Sequence, residues 1–411
     1  MPNLFQVVDW IGNESLRSLL NNLVVAEEFN TDYNKKFQQD FAVGSTVRVK
    51  LPQRFLIRDG IGYTPQAINR IYTTVACDQI FGVDFDWDSA EAALQAERGM
   101  ALIKEEYIDK AMEQMAQEID SRAAKWAYQN TNNVVGALGT NPTDTNFAGA
   151  ARQRLIENAC PPGERCMIIS PGAMTSVTNG STTLFNPVDE VAKAFKEGYY
   201  GRARGFDWSE SMSLYSHTAG VWQTPSAVTV KGSGQSGTTL LINCTSGDTF
   251  LQGDVFNIGA VNNANPSTRR STNVLKQFVV TQAITATAST VTLNISPSIN
   301  GPGQYQNVDA LPLDAALLTL FPGTTTPSTG PKSGIQGLAM HRDAFALVGV
   351  GLEVPKAVEF SVQKRDPKTG IAIRFVRMFD PIQSKMINRF DCLMGFGNLY
   401  PDNCSVRVQQ A

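Results

Sequence analysis

Only two of the 411 residues are histidine, His217 and His341, and neither stands in a metal-ligand or nucleophile pattern. Both are expected to be structural or surface residues. The six cysteines, Cys77, Cys160, Cys166, Cys244, Cys392 and Cys404, are scattered without a C-x-x-C pair or nearby histidines. That argues against a zinc site and against a disulfide framework, and predicts buried free thiols. No apolar run reaches eighteen residues, and the first stretch, "MPNLFQVVDWIGNESLRSLL", has no basic leader. A soluble protein made in a cytoplasm is therefore expected. Net charge is only −3 with a pI near 5.6, so the chain lacks the uniformly basic surface of a nucleic-acid binder, although local patches stay open.

Charge is also missing locally. From Trp222 to Gln336 there is no glutamate, and nine charged residues occur in 115 positions against 64 in the other 296. The short runs "AVTV", "TTLLIN", "DVFNIGA", "QFVVTQAI" and "TVTLNIS", broken by Gly, Asn, Pro and Ser, predict a separate small all-β barrel or sandwich. Its flanks, "WQTPS" and "FPGTTTPSTGPKSG", read as linkers. Charged sequence resumes at "GLAMHRDAFALVGVGLEVP", so the β unit is expected to be inserted within another domain. The length allows two to three domains, and 42% hydrophobic content supplies real cores.

What is present is pattern. "VRVKLPQRFLIR" sets Val47, Val49, Leu51, Phe55 and Ile57 on one parity and Arg48, Lys50, Arg54 and Arg58 on the other. Strand side chains alternate, so this predicts a ribbon of roughly 40 Å with one oily and one cationic face. The return strand is expected at Ala67 to Phe85, carrying Arg70, after the turn-rich segment 59–66. A two-stranded hairpin of that length is marginal in water, so something must pack on it, in this chain or another. Its basic face has three readings: a solvated face, a phosphate contact, or a match for an acidic strip on another copy.

An amphipathic helix is expected at 14–29, from Leu16, Leu19, Leu20, Leu23 and Val24. From Met100 to Asn130 no glycine or proline occurs, and Ile103, Met112, Met115, Ile119, Ala123 and Trp126 make one apolar stripe. These residues predict a rod of about 46 Å, preceded by a capping pair at Asp88 and Glu91. Glu105, Glu106, Asp109 and Glu113 give that rod an acidic strip. Next, "AGAARQRLIENA", "CPPGER", "CMIIS" and "PGAMTSV" describe an α/β layer, with a further short helix at 188–197. The end of the chain returns to strands such as "IAIRFVRMF".

No enzymatic signature emerges. Gly232, Gly234 and Gly237 in "GSGQSG" match a phosphate-loop spacing, yet they lie between two strand-like runs with no helix following, which reads as a hairpin loop. Asp84, Asp86 and Asp88 open like a calcium loop but lack its glycine and closing glutamate, so a solvated strand face is expected. Nothing in their spacing brings Asp207, Asp343, Asp380 and Asp391 together. Catalytic residues, metal ligands and cofactors are accordingly expected to be absent.

The order of parts, with "GSTVRVKLPQRF", "PPGERCMIISP", "GRARGFDWSESMSLYSHTAG", "LAMHRDAFALVGVGLEVP" and "TGIAIRFVRMFDPIQSKMINRFDCLMGFGNLYP", resembles the major capsid proteins of tailed phages, of the Hong Kong 97 fold. More narrowly it resembles short-tailed phage coat proteins with an inserted β domain. The resemblance implies an α+β fold: an N-terminal arm at 1–40, an extended loop at 41–87, and a peripheral domain with a spine helix at 88–133. It further implies an axial domain at 134–200, peripheral or hinge segments at 201–221 and 337–385, the insert at 222–336, and an axial return at 386–411. It implies pentamers and hexamers tiling an icosahedral virion shell, assembled in a host bacterial cytoplasm with a scaffolding protein, a portal and packaged double-stranded DNA. Decoration proteins are compatible with it, and no membrane is involved. The basic face (Arg48, Lys50, Arg54, Arg58, Arg70) is then expected against the acidic strip (Glu105, Glu106, Asp109, Glu113) of a neighbour. An encapsulin-like compartment is the alternative.

Overall fold

The computed structural model describes residues 4–33, 46–57, 60–63, 65–68, 71–88, 107–181, 201–321, 323, 325–355, 358, 360–367, 369–383 and 385–411. The fold is α+β. Two compact units form, one from residues 1–49, 72–123 and 345–398 and the other from 50–71, 124–344 and 399–411.

The first unit is organised by the fourteen-residue strand β21 (Lys385–Asn398). One of its edges pairs with β3 (Gln79–Asp88). Along the other run β20 (Ala372–Asp380) and then β18 (Phe345–Val350), and β19 (Phe360–Arg365) completes the antiparallel sheet beyond β20. β21 runs unbroken to Asn398, and the chain changes unit at Leu399.

Helix α1 (Leu4–Asn21) packs on β19 and β20, with Gly12 against the side chains of Val362 and Lys364. It begins earlier than the expected 14–29 and stops at Asn21 for a local reason. The backbone N–H groups of Val24, Val25 and Ala26 donate to the buried Asp120 carboxylate at 2.8, 3.1 and 2.9 Å, which turns the chain out of the helix. Burial raises the Asp120 pKa, and the three donors partly oppose that rise. The spine helix α2 (Asp109–Asn130) buries Met112, Met115, Ile119 and Ala123 as its stripe requires. At 22 residues it measures about 33 Å; the expected start at 100–106 lies outside the described residues, as does the helix expected at 188–197.

The second unit centres on a mixed sheet. Its order is β4 (Val134–Gly136), β22 (Ser405–Gln409), β17 (Ser333–His341), β5 (Arg165–Ile169), β7 (Phe206–Glu210) and β6 (Arg202–Ala203), with β8 (Ser216–Thr218) also on β17. The "RCMII" strand is buried along its whole length, as an apolar run flanked by turn residues predicts. Helices α3 (Asn146–Glu157) and α4 (Pro171–Ser181) flank it in sequence.

Between β8 and β17 the chain builds a barrel. The sheet order is β16 (Leu318–Phe321), β12 (Val255–Ala264), β13 (Ser271–Val280), β15 (Thr290–Ile299), β10 (Gly237–Asn243) and β9 (Thr229–Val230). It closes because Val230 N donates to Ala316 O at 2.9 Å and Leu318 N to Val228 O at 3.0 Å. Leu240, Ile242, Leu293 and Ile295 alternate into its core. A small ribbon of β11 (Thr249–Phe250) and β14 (Ile284–Thr285) lies beside it. The flanks are not loose linkers: Trp222 is in the barrel core, its backbone N–H donates to Thr325 O, and Ala219 N donates to Lys332 O, both at 2.9 Å.

The barrel is seated on the mixed sheet. Val255, Val279 and Phe321 pack on Val134, and the Gln277 amide reproduces a strand edge, accepting from Val134 N at 2.8 Å and donating to Val134 O at 3.3 Å. Beside it a buried chain of amides runs from Lys276 Nζ to Asn263 Oδ1, from Asn263 Nδ2 to Asn158 Oδ1, and from Asn158 Nδ2 to Asn133 Oδ1. Lys276 is fully buried, and that burial pushes its ammonium from 10.5 down to about 8. The unfolded chain keeps this proton up to about 10.5. Between these two values the unfolded state therefore binds more protons, and stability climbs as pH rises through that window. The melting temperature of the wild-type chain should rise between pH 8 and 10 relative to a Lys276→Met variant. Parallel curves would count against Lys276 as the titrating group.

Candidate interaction surface

Strands β1 (Thr46–Lys50) and β2 (Tyr72–Ala76) form the base of the hairpin. Val75 is fully buried, and Thr73 Oγ1 donates to Asn398 O at 2.8 Å. The base lies close on β21 because that strand reads "GFGN" there. A Cβ on Gly397 would fall 2.3 Å from a Val75 methyl, and one on Gly395 would fall 1.8 Å from Ala76 O. Two glycines in one strand are thus explained by the approach of another strand.

Beyond Lys50 the expected ribbon stops. Leu51 N still donates to Ile71 O at 3.0 Å, but residues 51–57 are not part of a strand. The Gln66 side chain takes over: its amide accepts from Leu56 N at 2.7 Å and donates to Leu56 O at 2.6 Å. The return segment is likewise two strands, β2 and β3, with β3 belonging to the five-stranded sheet. The alternation of oily and cationic faces therefore does not persist. Phe55, Leu56 and Ile57 are exposed in succession, and Ile57, Ile61, Tyr63 and Ile68 are 92%, 98%, 88% and 75% exposed.

Arg48 and Lys50 are exposed on β1, whereas Arg54 is half-buried in the wall of a cleft of about 440 Å³ shared with Phe55, Arg269, Asp343 and Tyr400. Arg58 and Arg70 lie outside the described residues, as do Glu105 and Glu106. Asp109 is half-buried in the first turn of α2, and Glu113 pairs with Lys110 at 3.0 Å.

On the first unit's sheet Asp86 meets Lys385 at 2.7 Å and Asp84 meets Arg389 at 3.6 Å, a strand face of ion pairs and not a calcium loop. The Lys385 ammonium holds the Asp86 carboxyl below its usual value. Asp391, buried, accepts from Arg374 Nη2 at 2.5 Å and from Arg389 Nε at 2.6 Å, and that bond raises the Arg389 pKa. His217, also buried, meets Asp254 at 2.9 Å, and the same carboxylate accepts from Gly220 N and Leu251 N. His341 Nδ1 accepts from Asp343 N at 3.1 Å. Of the "GSGQSG" glycines, Gly232 and Gly234 lie in the β9–β10 hairpin loop and Gly237 opens β10, all three with positive φ. All six cysteines are free and buried. Among the described residues no group of three His, Cys, Asp or Glu side chains is placed to hold a metal, and no helix is long and apolar enough to cross a membrane.

Sequence reasoning missed Asp120, Lys276 and the Gly395/Gly397 pair. Each had a visible signal: an acid inside an apolar stripe, a lysine in a strand otherwise nearly free of charge, and paired glycines in a strand.

No protein-family model and no curated protein sequence matches the chain. Among solved structures it is similar to a chain of Mycobacterium phage Che8, at 13% identity and a TM-score of 0.47, covering 94% of this chain and 90% of that one. A chain in the capsid structure of the Cyanophage P-SCSP1u is similar at 13% identity and a TM-score of 0.42, covering 90% and 84%. The CUS-3 coat protein I-domain is covered over 98% of its length by 24% of this chain, at 26% identity and a TM-score of 0.20.

The glycine clamp is directly testable. Gly397→Ala drives a carbon into Val75 and should destabilise the hairpin base by about 1–3 kcal/mol. Combining it with Val75→Ala, which removes both methyls in the way, should recover part of that loss in denaturant unfolding; additive losses would show that the two side chains do not compete for one space.

Proposed function

We propose that this chain is a coat subunit that assembles with its own copies into the closed shell of a tailed phage. The observation that supports it most is the hairpin tip. Four large apolar side chains there are each at least 75% exposed, more than a solitary soluble chain usually leaves in one segment. Covering each fully is worth about 1.5–3 kcal/mol, whereas an exposed salt bridge gives only about 0–1 kcal/mol. Apolar docking on a neighbour therefore supplies most of the affinity, and charge sets orientation.

In this reading Arg48 and Lys50 at the ribbon base, with Arg54, Arg58 and Arg70, meet acidic groups of the adjacent copy. The strip of Glu105, Glu106, Asp109 and Glu113 is the candidate. Residues 222–336 are an insertion into the coat fold. Pentamers and hexamers of one chain close the icosahedral shell by small differences in bend. A scaffolding protein guides assembly in the host cytoplasm, a portal occupies one vertex, and packaged double-stranded DNA is held without sequence preference. The chain's role is geometric and requires no catalysis.

Replacing Ile57, Ile61 and Ile68 by aspartate should leave circular dichroism and melting temperature unchanged while removing closed shells from negative-stain images of cells producing the protein with its assembly partners. Shells at wild-type yield from that variant would defeat the proposal. Substituting only Arg48 and Lys50 by serine should lower the yield less and make it less sensitive to salt.

A further inference from the structure

We infer that the barrel is the support that fixes the direction of the hairpin tip, through Arg269 and Gln304. This rests on the assembly reading above only for its consequence, since the contact itself lies within one chain. The two side chains come from different barrel loops, one between β12 and β13 and the other after β15. They converge on consecutive carbonyls: Gln304 Nε2 donates to Arg54 O and Arg269 Nη2 to Phe55 O, both at 2.5 Å. Those carbonyls stand past the end of β1, in a stretch that is not part of a strand and is held by side-chain donors.

The loop presenting Arg269 is built for the purpose. Asn265 Oδ1 accepts from Ser267 N at 2.9 Å and from Thr268 N at 3.0 Å; Asn265 O accepts from Arg269 N at 2.7 Å, and its backbone N–H donates to Arg270 O at 3.0 Å. Asn265 Nδ2 donates to Glu157 O at 2.8 Å and so ties the loop to α3. Inside this turn Arg269 takes φ of 56°, a left-handed backbone unfavourable for a residue with a side chain. The surrounding bonds hold it there and aim its guanidinium at the hairpin. Recognition through main-chain carbonyls explains why the partner sequence is free to carry exposed apolar groups. The barrel grips the backbone and leaves Ile57 and the residues after it for another contact.

Amide exchange on the unassembled chain tests the grip, and shell yield tests its consequence. In Arg269→Ala/Gln304→Ala, peptides covering 51–57 should exchange at least tenfold faster than in wild type, while barrel peptides covering 238–243 and 290–299 stay unchanged. Shell yield should fall at least fivefold. Unchanged exchange at 51–57 overturns the inference whether or not shells form. Faster exchange with full shell yield overturns the positioning role and leaves the coat reading standing. If wild type makes no shells, the coat reading fails and exchange alone decides the grip. Should the double variant disturb the barrel peptides, Gln304→Ala alone decides by the same exchange criterion, because its loop is separate from the Asn265 turn.

Discussion

A hairpin whose strands stop at Lys50 and resume at Tyr72 leaves Ile57, Ile61, Tyr63 and Ile68 exposed, and side-chain contacts hold it past Leu51. Strand β1 ends at Lys50, and the Gln66 side-chain amide then pairs with the Leu56 backbone. The residues beyond remain open to water although they are isoleucine and tyrosine. Net gain from a side-chain hydrogen bond is of order 1 kcal/mol, less than burial of any one of those residues would return. The tip is thus held in place without being satisfied, which is the condition for a segment whose apolar complement lies on another molecule.

The barrel is joined to the mixed sheet by polar groups as much as by apolar ones. An apolar patch of four residues alone would allow sliding, because the hydrophobic effect has no direction. Gln277 removes that freedom by pairing both of its amide groups with one residue of β4. The buried amide chain from Lys276 to Asn133 adds a second fixed register. Burying a lysine whose ammonium is bonded to a neutral amide costs stability, and its retention beside three asparagines fits a seam in which orientation matters more than binding strength. Asp254 acts at the junction itself, holding His217 before the barrel and Gly220 at its start with one carboxylate.

Much of this was legible in the sequence where a single periodicity dominates. The α2 stripe, the buried "RCMII" strand and the barrel strands follow from spacing alone, and the barrel followed from a drop in charge. The cationic ribbon shows where such reading fails. Its alternation runs on past Lys50 in the sequence, but β1 ends there and Phe55, Leu56 and Ile57 are exposed in succession, while Arg58 lies outside the described residues. The candidate surface was correspondingly half visible: the hairpin could be located, while its character changed from cationic to apolar. Arg269 and Gln304 could not be found from sequence. They lie 214 and 250 residues from the carbonyls they reach, and nothing in a local pattern records a contact with main chain.

The topology also decides which parts can adapt. The segments on either side of the barrel are antiparallel neighbours, Thr218 opposite Ser333 and Ser216 opposite Ile335. The barrel is thus held at both ends by one strand pair, and again at Gln277. That same barrel holds the hairpin at Arg54 and Phe55, so its fixed part reaches at least to those carbonyls. On the coat reading proposed above, a shell built from one chain needs variation among its copies, yet must not lose register at every contact. Confining the variation to a short apolar tip, beyond a fixed root, meets both demands, because apolar contacts tolerate small shifts that hydrogen-bonded ones do not.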